Sequence, residues 1–203
     1  TPAAYMEKHG IFDSPTTAAH CVWLEDEDFD ILKRHGVTVA CCPASNLKLA
    51  SGYANVPKML ESGINVALGT DGAASNNNLN IMQDMYLFGV VYKGYFRDPT
   101  IITPAEVLHA ATRAGALSQG RDDSGLLAVG MRADLCVLNT DTPQFTPMTS
   151  AACNVVYAAQ GADIRMTMVD GEVLYRDGEF KTIDIEKVKA EVQRRTDSIL
   201  SRL

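Results

Sequence analysis

The order of apolar runs along the chain predicts an α/β protein, and three observations carry that expectation. Short apolar runs alternate with amphipathic stretches through the first part of the chain, a strand–helix–strand–helix–strand rhythm that implies parallel strands. From Gly125 onward, glycine-punctuated short runs imply a small antiparallel β unit closed by a charged helix. The 203 residues, 46% hydrophobic and 21% charged, are too apolar for a disordered chain and sufficient to bury a core.

Each element has a local reason. Thr16–Ala19, after Pro15, reads as a short buried strand ending at His20. Glu25–His35 reads as a helix: Glu25, Asp26, Glu27 and Asp28 crowd its start, Lys33, Arg34 and His35 fill its last turn, and Gly36 follows as a cap. Both charge clusters suit the helix dipole. Val37–Cys42 is a second buried strand closed by Pro43, Val56–Ser62 a short helix stopped by Gly63, and Asn65–Gly69 a third apolar run. A long helix is expected over Asn80–Tyr95, with Ile81, Met82, Met85, Phe88 and Val91 on one stripe. Thr103 and Glu106 form a capping box around Pro104, opening a helix expected to end near Gly115. Beyond Gly125, Asp134–Asn139, Val155–Ala158, Arg165–Val169 and Glu172–Tyr175 read as strands. Asp170-Gly171 and Asp177-Gly178 are hairpin turn signals. Ile185–Leu203 reads as a closing amphipathic helix.

Composition also excludes partners. Lys+Arg number 18 against Asp+Glu 25, a net charge of −7, with no basic cluster, so neither nucleic acid nor an anionic membrane surface is expected to bind. No apolar run reaches the ~18 residues a membrane span requires, and the first residues lack the basic and apolar regions of a signal peptide. The five cysteines contain no C-x-x-C pair, which excludes a zinc ribbon, and they read as buried reduced thiols. A cytoplasmic location is the resulting expectation.

His20 and Asp71 both fall where a strand ends, and in parallel α/β folds the active site lies at the C-terminal strand ends. Ser45 and Asn46 follow the second strand, and Glu25 lies at a helix start. Structural roles are open for each: a hydrogen-bonded His, a turn Asp, a dipole-stabilised Glu, and loop residues satisfying their own backbone.

The strings around these residues narrow the reading. T-T-A-A-H-C-V-W-L holds His20, C-C-P-A-S-N-L-K-L-A-S-G follows the second strand, and V-A-L-G-T-D-G-A-A-S-N-N-N-L-N holds Asp71. Together with G-L-L-A-V-G-M-R-A-D-L-C-V-L and V-D-G-E-V-L-Y-R-D-G-E-F, they make the chain resemble the amidohydrolase superfamily over essentially its whole length. The branch is that of adenosine-type deaminases and triazine or guanine hydrolases. The resemblance implies a partial (β/α)8 TIM barrel, strands six to eight, over residues 1–124. It implies the C-terminal part of a small β-sandwich with a terminal helix over 125–203.

The implied activity is metal-dependent hydrolytic deamination of an adenine nucleoside of the 5-methylthioadenosine or S-adenosylhomocysteine type. The alternatives are a guanine deaminase or triazine-type ring hydrolase, or a non-catalytic piece lacking the metal site. By resemblance, His20 activates water or polarises substrate. Asp71 is a metal ligand that shuttles a proton, both residues contact substrate, and Thr70 and Ser75 orient Asp71. The implied cofactor is a divalent metal, zinc first.

The sequence departs from the family pattern in three ways. It has no H-x-H and no H-x-x-E upstream of His20, so three expected metal ligands are missing. Cys41 stands where many relatives have His. The first residue is Thr1 rather than Met. The chain is therefore expected to be the C-terminal half of a larger enzyme, inactive alone, which associates with itself or with the remaining half.

Overall fold

The computed structural model describes all residues, Thr1–Leu203. They form two compact units, one comprising Thr1–Met131 and Thr140–Gly161, the other Arg132–Asn139 and Ala162–Leu203. This division differs from a single cut at residue 124.

The first unit opens with helix α1 (Pro2–Lys8), whose Ala4 N–H donates to the Thr1 hydroxyl. Strand β1 (Thr17–Ala19) leads to helix α2 (Asp26–Arg34), bracketed by acidic residues at its start and basic residues at its end. The Glu25 N–H donates to the Asp28 carboxylate at 2.9 Å, satisfying an otherwise orphaned donor. Gly36 leaves the helix at φ +62°, the left-handed conformation its cap position demands. Glu25 thus has the capping role that its place in the sequence suggested.

Strand β2 (Thr38–Cys41) is central, pairing in parallel with β1 through Val39↔Ala18 and with β3 (Val66–Leu68) through Val39↔Val66. Val39 and Cys41 are fully buried. A parallel strand covered on both faces cannot alternate apolar with polar, so the continuous run Val37–Cys42 is what this position requires. Between β2 and β3 lie the short helices α3 (Pro43–Lys48) and α4 (Val56–Glu61).

After β3 come α5 (Ala73–Asn76) and the long α6 (Ile81–Phe96), which buries Met85 and Phe88 of the expected stripe together with Tyr92, while Ile81, Met82 and Val91 are half-buried. The capping box at Thr103 and Glu106 forms as its motif indicates. The helix it opens is not continuous to Gly115 but breaks into α7 (Pro104–Ala111) and α8 (Arg113–Ser118). At the break, the Thr112 hydroxyl donates to the Leu108 carbonyl at 2.6 Å, competing with the helical backbone. The Arg113 guanidinium then gathers the carbonyls of Asp122 and Ser124.

In the second unit, strands β4 (Leu135–Leu138), β5 (Ile164–Val169), β6 (Glu172–Arg176) and β7 (Glu179–Phe180) make an antiparallel sheet in that order. Both Asp-Gly pairs turn as their sequence specifies, with positive φ at Asp170, Gly171, Asp177 and Gly178. Helix α10 (Ile185–Leu200) ends the unit.

One expected strand is overturned. Val155–Ala158 is not a strand; it falls at the end of helix α9 (Ala151–Tyr157), which belongs to the first unit. Val155, Val156 and Tyr157 favour strands by propensity. Packing overrides this: Val156 and Tyr157 press against α6 at Gly89, where an added Cβ would lie 3.1–3.2 Å from them. The overlooked signal is Ser150, whose hydroxyl accepts from Cys153 N–H as an N-cap. The thiols also need correction: Cys41 and Cys42 are buried, but Cys136 and Cys153 are exposed and Cys21 is half-buried. Cys136 lies on a strand with an open face, and Cys153 on the outward side of α9.

Gly125 at φ +82° lies against the Arg113 backbone, and an added Cβ would come within 2.7 Å of its Cα. Gly125→Ala should therefore destabilise the first unit by about 1–3 kcal/mol. Urea denaturation checks this, and an unchanged midpoint would refute the close approach.

Candidate active site

The parallel arrangement puts the C-terminal ends of β1, β2 and β3 at one edge. The His20 N–H still donates to the Ala40 carbonyl at 2.9 Å, extending the ladder by one residue, and the Gly69 N–H does the same to Cys41. The chain then turns sharply. His20, Cys21 and Asp71 all adopt left-handed φ, at +67°, +48° and +62°. For non-glycine residues this costs about 1–2 kcal/mol each, and such strain gathers where geometry is imposed by the surroundings.

His20 and Asp71, predicted to share a site, do meet. The His20 Nε2 lies 3.9 Å from Asp71 Oδ2. Both side chains stay partly open, 42% and 30% exposed. The residues that fix them are Ser45 and Asn46, for which the sequence left a loop-backbone role open. Ser45 and Asn46 are not loop residues satisfying their own backbone; they lie on α3, only 1% and 4% exposed, and reach the pair directly. The Ser45 hydroxyl donates to Asp71 Oδ2 at 2.6 Å, while Asn46 Oδ1 lies 2.9 Å from His20 Nδ1. Consecutive residues on one short helix thus hold two side chains from two different strand ends.

The Ser45 hydroxyl, then the Gly72 N–H at 2.7 Å from Oδ1, then the Ser75 hydroxyl and His20 hold the Asp71 carboxyl down at about 2. Partial desolvation opposes them and loses. Asp71 is therefore anionic across the physiological range. Thr70 touches the Asp71 backbone rather than its carboxylate: its hydroxyl donates to the Asp71 carbonyl at 3.2 Å. Ser75 donates to the Gly72 carbonyl at 3.2 Å.

Beneath the pair sits Asp84 on α6, fully buried. It accepts from the Ala44 N–H at the start of α3 and from Asn76 Nδ2, both at 3.1 Å. The same Asn76 amide donates to the Thr70 carbonyl at 2.7 Å. Helix α3, the Asp71 loop and α6 are joined through this one carboxylate. Burial raises its pKa, and the two donors work against that.

The thiols at this edge are not nucleophiles. Burial pushes Cys41 up to about 12, and Cys21 and Cys42 to about 11, so none carries appreciable thiolate near neutrality. Cys41 instead pairs with the Tyr92 hydroxyl at 3.2 Å in the core.

A metal would find one good donor here. Asp71 carries a carboxylate whose oxygens, bonded by Ser45 and the Gly72 N–H, keep lone pairs available. Yet no group of three or more His, Cys, Asp or Glu that could hold a metal ion forms in this chain. The residues fit one ligand of a metal centre and do not complete one. No helix is long and apolar enough to cross a membrane.

Residues 1–174 match the amidohydrolase family, and the chain belongs to it. It is 41% identical over its whole length to a 5-methylthioadenosine/S-adenosylhomocysteine deaminase of Dictyoglomus thermophilum, covering 47% of that protein. It is 44% identical over 91% of its length to a 5'-deoxyadenosine deaminase of Methanothermobacter thermautotrophicus, covering 43% of that one. Among solved structures, an adenosine deaminase from Xanthomonas campestris with bound zinc superposes with TM-score 0.95 at 29% identity, over 98% of this chain and 46% of the other. An atrazine chlorohydrolase from Arthrobacter aurescens, complexed with zinc, gives TM-score 0.88 at 28% identity, over 96% and 43%. The chain spans about half the length of the curated relatives it matches.

Two outcomes follow from this geometry. The folded-state pKa of Asp71, about 2, lies below the ordinary 3.8, so its ionised form stabilises the fold above that value and the contribution is lost as pH falls toward 2. Ser45→Ala removes the largest cause, so a carboxyl-carbon NMR titration should show the Asp71 pKa rising toward 3.8. Asp84→Asn keeps one acceptor oxygen and sets an amide NH2 opposite the other donor, so either the Ala44 N–H or Asn76 Nδ2 loses its partner. Chemical denaturation should show a loss of about 1–3 kcal/mol.

Proposed function

We propose that this chain is the part of a metal-dependent aminohydrolase that carries its proton-transfer groups. The reaction is hydrolytic deamination at C6 of an adenine nucleoside of the 5-methylthioadenosine or S-adenosylhomocysteine type. The observation that carries the reading is the pairing of the Asp71 carboxylate with His20 Nε2 at 3.9 Å, at the C-terminal edge of a parallel sheet. The names of its relatives supply the substrate class.

On this reading β1, β2 and β3 are strands six to eight of a (β/α)8 barrel, and β4–β7 belong to a small β-sandwich. The remaining strands and the other metal ligands come from polypeptide outside these residues, or from association with another chain. A divalent metal, zinc by analogy with the zinc-bound neighbours, would be held in part by Asp71 and, when bound, would supply the Lewis acidity that lowers the pKa of water to about 7.

The chain's own residues perform the proton work. Water adds to C6 and gives up a proton to the Asp71 carboxylate; the C6–N bond breaks, and that proton leaves with the amine as ammonia. His20, through Nε2, polarises the ring or assists the water. Thr70 and Ser75 hold the turn that carries Asp71, by their bonds to its backbone and to Gly72. The setting is cytoplasmic, a reading supported by five free thiols.

A second reading has support from the chlorohydrolase likeness: the same edge could serve hydrolysis of another nitrogen heterocycle. Ammonia release from S-adenosylhomocysteine or 5-methylthioadenosine, with none from guanine and no chloride from a chlorotriazine, distinguishes the two. In the complete enzyme Asp71→Asn should lower turnover by about 10²–10⁴-fold. Turnover near the unsubstituted rate would end the assignment.

A further inference from the structure

Asn46 holds no role in the reaction as described so far, yet it is 96% shielded and its carbonyl is spent on the one ring nitrogen of His20 that faces away from Asp71. We infer that Asn46 is a positioning residue that selects the His20 tautomer. The inference rests on His20 belonging to the reacting centre.

With its amide oxygen turned to the ring, Asn46 Oδ1 lies 2.9 Å from His20 Nδ1 and can only accept, which places the ring proton on Nδ1; an amide turned the other way would donate from Nδ2 and select the opposite tautomer, which the ring-nitrogen shifts distinguish. A neutral imidazole carries one proton, so Nε2 is left with its lone pair, and Nε2 is the nitrogen 3.9 Å from Asp71 Oδ2. With the other tautomer the ring would present an N–H to the reacting side and could not accept a proton from water.

The asparagine is itself tightly placed. Its N–H donates to the Cys42 carbonyl at 3.0 Å, and its own carbonyl accepts from the Ser51 N–H at 2.8 Å. Helix α3 is pinned at its start by the Ala44–Asp84 bond. The His20 backbone is held from the other side by the ladder bond to Ala40 and by its left-handed turn. Ring and amide therefore face each other by construction of two backbones, not by a free side-chain choice. Ser45 fixes the anion and Asn46 fixes the ring, so one turn of α3 sets both halves of the pair.

The test uses the complete, metal-loaded enzyme with 15N-labelled histidine; the His20 signal is identified as the one lost in His20→Asn. Ring nitrogen shifts should report protonation at Nδ1 in the unsubstituted protein. Asn46→Leu should shift the tautomer toward Nε2–H and lower kcat by about 10–100-fold with KM changed little. Asn46→Asp, which keeps an acceptor at the same point, should retain Nδ1–H and most of kcat. Nε2–H in the unsubstituted protein, or an unaltered tautomer in Asn46→Leu, overturns the inference. If Asn46→Leu does not fold, the unsubstituted protein and Asn46→Asp still decide it. Failure of the deaminase reading shows separately, as absence of ammonia release by the unsubstituted enzyme, because the tautomer is read without turnover.

Discussion

The buried carboxylate of Asp84 is the constraint on which the candidate site depends. It lies where water cannot reach, and its two hydrogen bonds run to the backbone of α3 and to the side chain that ends α5. A buried acceptor left unpaired costs more than a bond made, so the three segments that meet there cannot drift apart independently. Asn76 carries the constraint onward, since the same amide nitrogen that donates to Asp84 also donates to the carbonyl of Thr70, next to Asp71. Position of the Asp71 carboxylate is thus a property of the long helix α6 as much as of the loop that bears it.

From that hub the site separates support from reactivity. Ser45 and Asn46 are buried and fixed, whereas Asp71 and His20, which they hold, remain partly exposed. Left-handed backbone at His20, Cys21 and Asp71 is an expense that the surrounding sheet and helix bear. Of the thiols nearby, Cys41 and Cys42 are buried, and Cys41 bonds to Tyr92 in the core rather than facing Asp71.

Much of the fold was legible because it follows from local chemistry. The acidic start and basic end of α2, the Thr103–Glu106 box and the Asp-Gly turns each state their geometry within a few residues. The failures came from packing and side-chain bonds that propensity does not show. Val155–Tyr157 has strand propensity and becomes helix because Gly89, far away in sequence, leaves room for Val156 and Tyr157 against α6. The break at Thr112 depends on a side chain competing with its own helix, and on Arg113 being claimed by the carbonyls of residues 122 and 124.

The sequence by itself determined the α/β class, the parallel order of the first strands, and the choice of His20 and Asp71, because strand-end position is a local property of the run that precedes each residue. Its motif strings also carried the family. Only the tertiary structure decided that these two side chains lie 3.9 Å apart, and that Ser45 and Asn46 hold them rather than their own loop. Hydrogen bonds between residues separated by a whole strand and helix have no periodicity or spacing to announce them. They exist because parallel strands bring their ends to one edge, where α3 begins.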